Sequence, residues 1–257
     1  MTLRRTALAL LALYVLLSIY PIVSIAVGIS PPNVLTPVTT LVGFTFALLH
    51  AGQREDWGRA LRLLALVFGI SLLFESVGVA TGLVYGPYHY TNKLGPLFLG
   101  LVPYLIPVAW FMMSYPSFVI ADWLIPADWK RWQRILSVAA LGGLAMTAWD
   151  LVMDPIMVAG GHWLWDINGA YHGIPLQNFW GWWLTVFTTF ALYLLISGKP
   201  SRSREAKFDR LAMLSYLVTA LGIVIVSLIS KAGELALIGF FAMMPWVITG
   251  WLRAKKE

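Results

Sequence analysis

Eight apolar runs, each about as long as a membrane is thick, constrain this chain more than any other feature. They lie at about 7–29, 34–51, 60–81, 97–124, 135–157, 178–197, 211–229 and 234–252. Crossing ~30 Å of hydrocarbon takes about 20 helical residues, and lipid gives backbone polar groups no partner outside a helix or a closed barrel. The composition agrees, with 59% of the 257 residues hydrophobic and 12% charged, a balance foreign to water-soluble domains. The chain is therefore predicted to be all-α, a polytopic bundle of about eight transmembrane helices forming a single integral-membrane domain over 1–257. The first run follows Arg4 and Arg5 but continues through Ile29 without a small-x-small cleavage site, so it reads as a retained helix and not a signal peptide.

The basic residues test that count. With a cytoplasmic N-terminus, those at 4–5, 54–62, 130–134, 199–210 and 253–256 all fall inside, leaving Lys93 and Lys231 outside out of 18 Lys and Arg. The positive-inside rule then predicts both termini in the cytoplasm. Adding or removing a span scatters the basic residues over both sides. The net charge of +6 is explained by basic loops beside anionic lipid, with no call for nucleic acid as a partner. There is no Cys, which excludes disulfides and thiolate chemistry.

Within this frame three acids are out of place. Glu75 lies six residues before Thr81, roughly 9 Å below the outer surface at 1.5 Å per residue. Asp150 sits at a similar depth, and Asp154 is one turn further along the same helix face. Each ionised side chain in a span costs about 2.5–3.5 kcal/mol, so such residues are functional candidates by default. The structural alternative is a helix–helix hydrogen bond, or a kink at Asp154-Pro155. Asp122, beside Trp123 at the inner end of its run, reads as an interfacial residue, and Lys231 and Glu234 as an outer turn in water.

Two outer segments, "TGLVYGPYHYTNKLGP" (81–96) and "AGGHWLWDINGAYHGIPLQNFWGWW" (159–183), follow the acid-bearing helices, and both contain Gly-x-Tyr-His. The match is a weak trace of internal duplication. Their Gly and Pro content predicts defined turns, not strands or helices, in the manner of lids over a cavity. Trp163, Trp165, Trp180, Trp182 and Trp183 lie in or beside the second segment, while Trp123, Trp129 and Trp132 mark the inner boundary. Most fit an aromatic belt, and some can offer ring faces to a cation.

The inventory limits the chemistry. Four histidines, His50, His89, His162 and His172, are too few for a histidine-rich di-iron centre. A smaller metal site from Asp150, Asp154, His162 and His172 stays open, but no HxxxH or HExxH spacing supports it and no metal is expected. Asp150-x-x-x-Asp154 also fits the magnesium-diphosphate site of a prenyltransferase or elongase, yet such a site wants basic partners and the outer side offers Lys93 and Lys231. No dinucleotide fingerprint, P-loop or GxSxG elbow is present. What remains is acid–base chemistry on an apolar molecule, or a proton-coupled carrier of a lipophilic substrate. Both use a desolvated carboxyl that holds a proton near neutral pH.

The segments "LLFESVGVATGLVYGPYHYT" (72–91), "PYLIPVAWFMMSYP" (103–116), "WDLVMDP" (149–155) and "GAYHGIPLQNFWGWW" (169–183) resemble the carotenoid hydratase family of the CruF type, which includes the bisanhydrobacterioruberin hydratases. The likeness is best over 60–200. It implies hydration of the terminal 1,2 double bond of an acyclic carotenoid, lycopene-like or C50, without a cofactor, in the lipid bilayer and beside other membrane enzymes of carotenoid synthesis. A proton goes to C2, a tertiary cation forms at C1, and water adds there. The resemblance itself assigns no residue roles. From position, Asp150 and Asp154 are expected to share a proton, one being the general acid, with Glu75 orienting water. Tyr88, His89, Trp149, His162, Trp165, Asp166, Tyr171 and His172 complete the expected substrate-binding and lid set.

Overall fold

A computed structural model describes residues 2–198 and 205–256; Lys199, Arg202 and Arg204, counted above among the inner basic residues, lie outside them. Eight helices among the described residues are long and apolar enough to cross a membrane: α1 (Thr2–Ala26), α2 (Leu35–Arg54), α3 (Trp57–Thr81), α4 (Leu105–Leu124), α5 (Arg131–Ala159), α6 (Leu176–Ser197), α7 (Ala206–Ile229) and α8 (Gly233–Lys256). The protein is an integral, multi-pass membrane protein.

The helices form a ring around a centre. In the order α1, α2, α3, α6, α5, α8, α7 each touches the next, and α7 returns to α1. Helix α4 runs through the middle and touches α2, α3, α5, α7 and α8. Its sequence explains the position. It is apolar on every side, the mark of a helix surrounded by protein, and every residue from Trp110 to Trp123 is buried. The share of buried residues is 72% in the α4 span against 17% in α1.

Small residues bring the ring helices close. A Cβ added at Gly142 of α5 would lie 2.5 Å from the Phe190 ring of α6, and one at Gly143 would lie 2.8 Å from Trp183. Gly142→Val is therefore expected to cost about 1–3 kcal/mol, the usual penalty of overpacking. Thermal unfolding in mild detergent checks it, with Gly222→Ala as a neutral comparison because, among the described residues, no atom beyond its own helix backbone lies within 4 Å of a Cβ placed there.

Two expectations about the loops are corrected. The fourth apolar run, taken as 97–124, is not one helix: Leu97–Phe98 (β2) and Val102–Pro103 (β3) pair as a hairpin, and α4 starts at Leu105. Leu99 and Gly100 have φ of 50° and 71°, and Leu101 N–H bonds Phe98 O at 2.9 Å, so a tight turn with two left-handed residues interrupts the run. The long segments also contain strands. Tyr88–Tyr90 (β1) and Trp163–Trp165 (β4) pair antiparallel, with Tyr88 opposite Trp165 and Tyr90 opposite Trp163. The strand period of two turns these four aromatics inward and His89 and Leu164 outward. A run of three residues is too short to show that period in sequence.

Candidate functional site

The β1–β4 ribbon covers one end of the bundle, and a cavity of about 800 Å³, counted through its opening, lies directly beneath it. The ends of α3 and α5 and the beginnings of α2, α4 and α6 converge there. Of the side chains expected at a site, Glu75, Tyr88, Trp149, Asp150, Asp154 and Trp165 line this cavity. His89, His162, Asp166, Tyr171 and His172 do not.

Each acid has a distinct setting. Glu75 is buried and accepts three hydrogen bonds: Tyr88 and Tyr90 hydroxyls both donate to Oε2, the latter at 2.9 Å, and Trp110 Nε1 donates to Oε1 at 3.0 Å. Burial, reinforced by the neighbouring carboxylate, holds both phenols well above their ordinary value, so they remain donors. Three donors thus meet the two oxygens of the Glu75 carboxyl group.

Asp150 and Asp154, one turn apart, share a single partner. Asn178 Nδ2, in the first turn of α6, donates to Oδ2 of both at 2.8 Å. Asp154 Oδ1 accepts from Trp163 Nε1 at 2.6 Å. Asp150 Oδ1 is buried with no hydrogen-bond partner among the described residues, and it borders the cavity. A buried polar atom left open costs free energy unless something comes to meet it. Around these groups the walls are aromatic: Trp110 and Trp182 stack at 4.2 Å, and Trp149 meets Trp182 edge to face at 5.8 Å.

The side chains outside the cavity have structural partners. Pro155 has no N–H, so it leaves the Leu151 carbonyl without its intrahelical bond; Tyr171 supplies it, donating from its hydroxyl at 2.6 Å. Burial raises that phenol to about 12. Tyr88 points to Glu75 and Tyr171 to a helix carbonyl, so the two Gly-x-Tyr-His segments are not used alike. His89 Nδ1 pairs with Asp166 Oδ1 at 2.8 Å on the outer face of the ribbon. His162 Nδ1 faces the Met157 carbonyl at 3.2 Å, and burial lowers its pKa. His172, with a φ of 48°, lies 3.9 Å from Glu234. Neither His162 nor His172 joins the aspartates.

Sequence reasoning missed Tyr90, Trp110 and Asn178, and it did not single out Trp163 and Trp182 from the tryptophan group in which it named them. Asn178 follows Pro175 in the first turn of α6, where a polar residue reads as a helix start, and most tryptophans near the second outer segment fit a membrane belt equally well. Trp129, Trp132 and Trp180 do face outward in that manner, at 44%, 60% and 59% exposure. The setting of Asp122 also differs from the expectation. It stands at the inner end of α4 as expected, yet faces protein and not water, buried and paired with Arg54 at 2.6 Å and with Arg134.

A family model described as "Carotenoid biosynthesis protein" matches residues 35–245. The chain is 35% identical over 167 residues to a protein of Haloarcula japonica named bisanhydrobacterioruberin hydratase, a match covering 62% of this chain and 55% of that protein. The chain thus spans about half the length of the curated relative it matches. No solved structure matches.

Proposed function

The chain belongs to the carotenoid biosynthesis protein family, and we propose that within it the chain is a carotenoid hydratase, adding water across the terminal 1,2 double bond of an acyclic carotenoid. The observation that carries this reading is the open Oδ1 of Asp150, buried in an aromatic-walled cavity beside two further carboxyls. The relative's name supports it.

In the proposed reaction the carboxylic acid of the Asp150–Asp154 pair gives its proton to C2, and the alkene's electron pair forms the new C–H bond. The tertiary cation left at C1 lies among the faces of Trp110, Trp149 and Trp182, where ring quadrupoles favour positive charge. A water molecule, held by the Glu75 carboxylate, adds its oxygen to C1. Its extra proton returns to the aspartate pair that gave one up in the first step, which restores the acid, so one water is consumed and no electron is transferred. Asn178 fixes both aspartates at once, and Tyr88, Tyr90 and Trp110 keep Glu75 an acceptor.

The same proposal sets the basic end of the bundle in the cytoplasm and the ribbon on the far side of the cell membrane, in agreement with the loop charges. Expression in a bacterium that accumulates an acyclic carotenoid tests the function. The expected pigment is heavier than the substrate by one water, or two where both ends react. A pigment heavier by an isoprenoid unit would replace this reading with prenyl transfer, and unchanged pigment beside well-inserted protein would count against both.

A further inference from the structure

The cavity beneath the ribbon is partly open. Tyr88, Tyr90, Leu94, Trp163 and Trp165 form the roof. The floor is shut by close packing of α2 on α4: a Cβ added at Gly43 would lie 2.8 Å from Met112 Sδ, and Phe46, Phe111, Met113 and Met146 nearby are all at most 1% exposed. Toward the ribbon the seam parts. Thr36 and Thr40 line the cavity from α2, and Leu105, Ala109 and Met112 line it from α4, at the i, i+4, i+7 spacing of one helix stripe. Among the described lining residues Thr36 alone is exposed; Leu105 and Ala109 across the seam from it are half-buried, as are Tyr90, Met157 and Trp165 at the ribbon side.

What surrounds that opening is apolar. Val34, Val38, Leu99 and Tyr104 stand 62%, 38%, 75% and 55% exposed. No charged residue occurs between Arg5 and His50 or between Lys93 and Asp122, so the approach from either helix is uncharged. Thr40 Oγ1 donates to the Thr36 carbonyl at 2.9 Å within its own helix, which leaves little polarity at the seam. The cavity is also short. From Leu105 to Met112 it follows seven residues of α4, about 10 Å at 1.5 Å per residue, a third of the ~30 Å hydrocarbon core.

We propose that the gap between the first turns of α2 and α4 is a lateral gate in the plane of the bilayer, through which a long apolar chain enters from the lipid end first. The proposal rests on the hydratase reading for the identity of that chain as a polyene. The terminal isoprenoid portion reaches Asp150, and the rest of the polyene stays among the acyl chains because the floor at Gly43 and Met112 leaves it no room. Each encounter therefore presents one end of the carotenoid to the acids.

The chain has no cysteine, so a single thiol can be placed at the gate without background. Thr36→Cys, in vesicles preloaded with the carotenoid, is treated with a membrane-permeant benzyl thiosulfonate. Leu237→Cys, on the lipid face of α8 at 61% exposure, is the control. A benzyl group at the gate is expected to lower hydration of the membrane-dissolved carotenoid by at least about tenfold, chiefly through KM, and reductant should restore it, a reversal that a misfolded protein cannot give. The control should stay unaffected. Hydration at full rate with the gate fully modified would overturn the proposal.

A second readout needs no turnover. Carotenoid in the vesicles should slow labelling of Thr36→Cys several-fold and leave Leu237→Cys unchanged. Absence of any hydrated product from the unmodified protein, with this protection intact, would remove the hydratase reading and keep the gate. Equal labelling of both positions with and without carotenoid would remove the gate.

Discussion

Asp150→Asn is expected to abolish hydration while leaving the protein inserted and able to retain carotenoid. The substitution is nearly isosteric, and the new amide oxygen can still accept the Asn178 N–H that now reaches Asp150 Oδ2 at 2.8 Å. The acid proton is what disappears. General acid catalysis contributes about 10²–10⁴-fold, and an unactivated alkene has no other route to a cation, so the loss should sit at the upper end. Pigment mass at matched protein level gives the activity, and visible absorption of carotenoid co-purified with the protein gives the binding. Asp154→Asn should fall less, because both Asp154 oxygens are already occupied, by Trp163 and Asn178. Turnover of Asp150→Asn within about tenfold of the unaltered protein would move the proton donor elsewhere.

Much of this arrangement was legible before any coordinates. Long apolar runs and their charged separators report the spans because lipid forces the backbone into helix, and acids in spans stand out because they are costly there. The depths of Glu75 and Asp150 followed from rise per residue alone, and both do border one cavity. What stayed hidden depends on contacts between distant segments. Asn178 bridges two aspartates more than twenty residues earlier in the chain. The β1–β4 pairing joins residues more than seventy apart, and three-residue strands leave no periodic signal. Loop position suggested substrate contact for Tyr171, His89 and Asp166, but Pro155 had already claimed the first through the carbonyl it frees, and the other two pair with each other. Apolar sequence also conceals order: nothing in the runs themselves says that the fourth lies at the centre and the first on the rim.

At the end of the bundle opposite the cavity, removing one guanidinium is expected to cost more stability than any other single change considered. Arg54 is buried and paired three ways: Nη1 with Glu55, Nη2 with Asp122 at 2.6 Å and Nε with Asp209 at 3.1 Å. Arg59 bonds Glu55 at 2.9 Å, Arg134 bonds Asp122, and Trp123 Nε1 donates to Asp209 at 2.8 Å. Three arginines thus balance three acids, joining α2, α3, α4, α5 and α7. His50 extends the junction, with Nε2 2.8 Å from the Phe208 carbonyl and Nδ1 2.6 Å from the Tyr115 hydroxyl. Arg54→Met keeps most of the volume but leaves Glu55, Asp122 and Asp209 with two guanidinium groups among them in a low-dielectric interior. Breaking a buried ion pair from one side typically costs about 3–5 kcal/mol, a large part of the 5–15 kcal/mol by which a fold persists. Folded yield in mild detergent and the midpoint of thermal unfolding should both fall sharply. The comparison is Arg4→Ala, which removes a pair with Glu205 whose side chains are 49% and 52% exposed and should cost about 0–1 kcal/mol. Equal, small effects of the two changes would mean that water reaches the cluster and that its charges do not hold the five helices together.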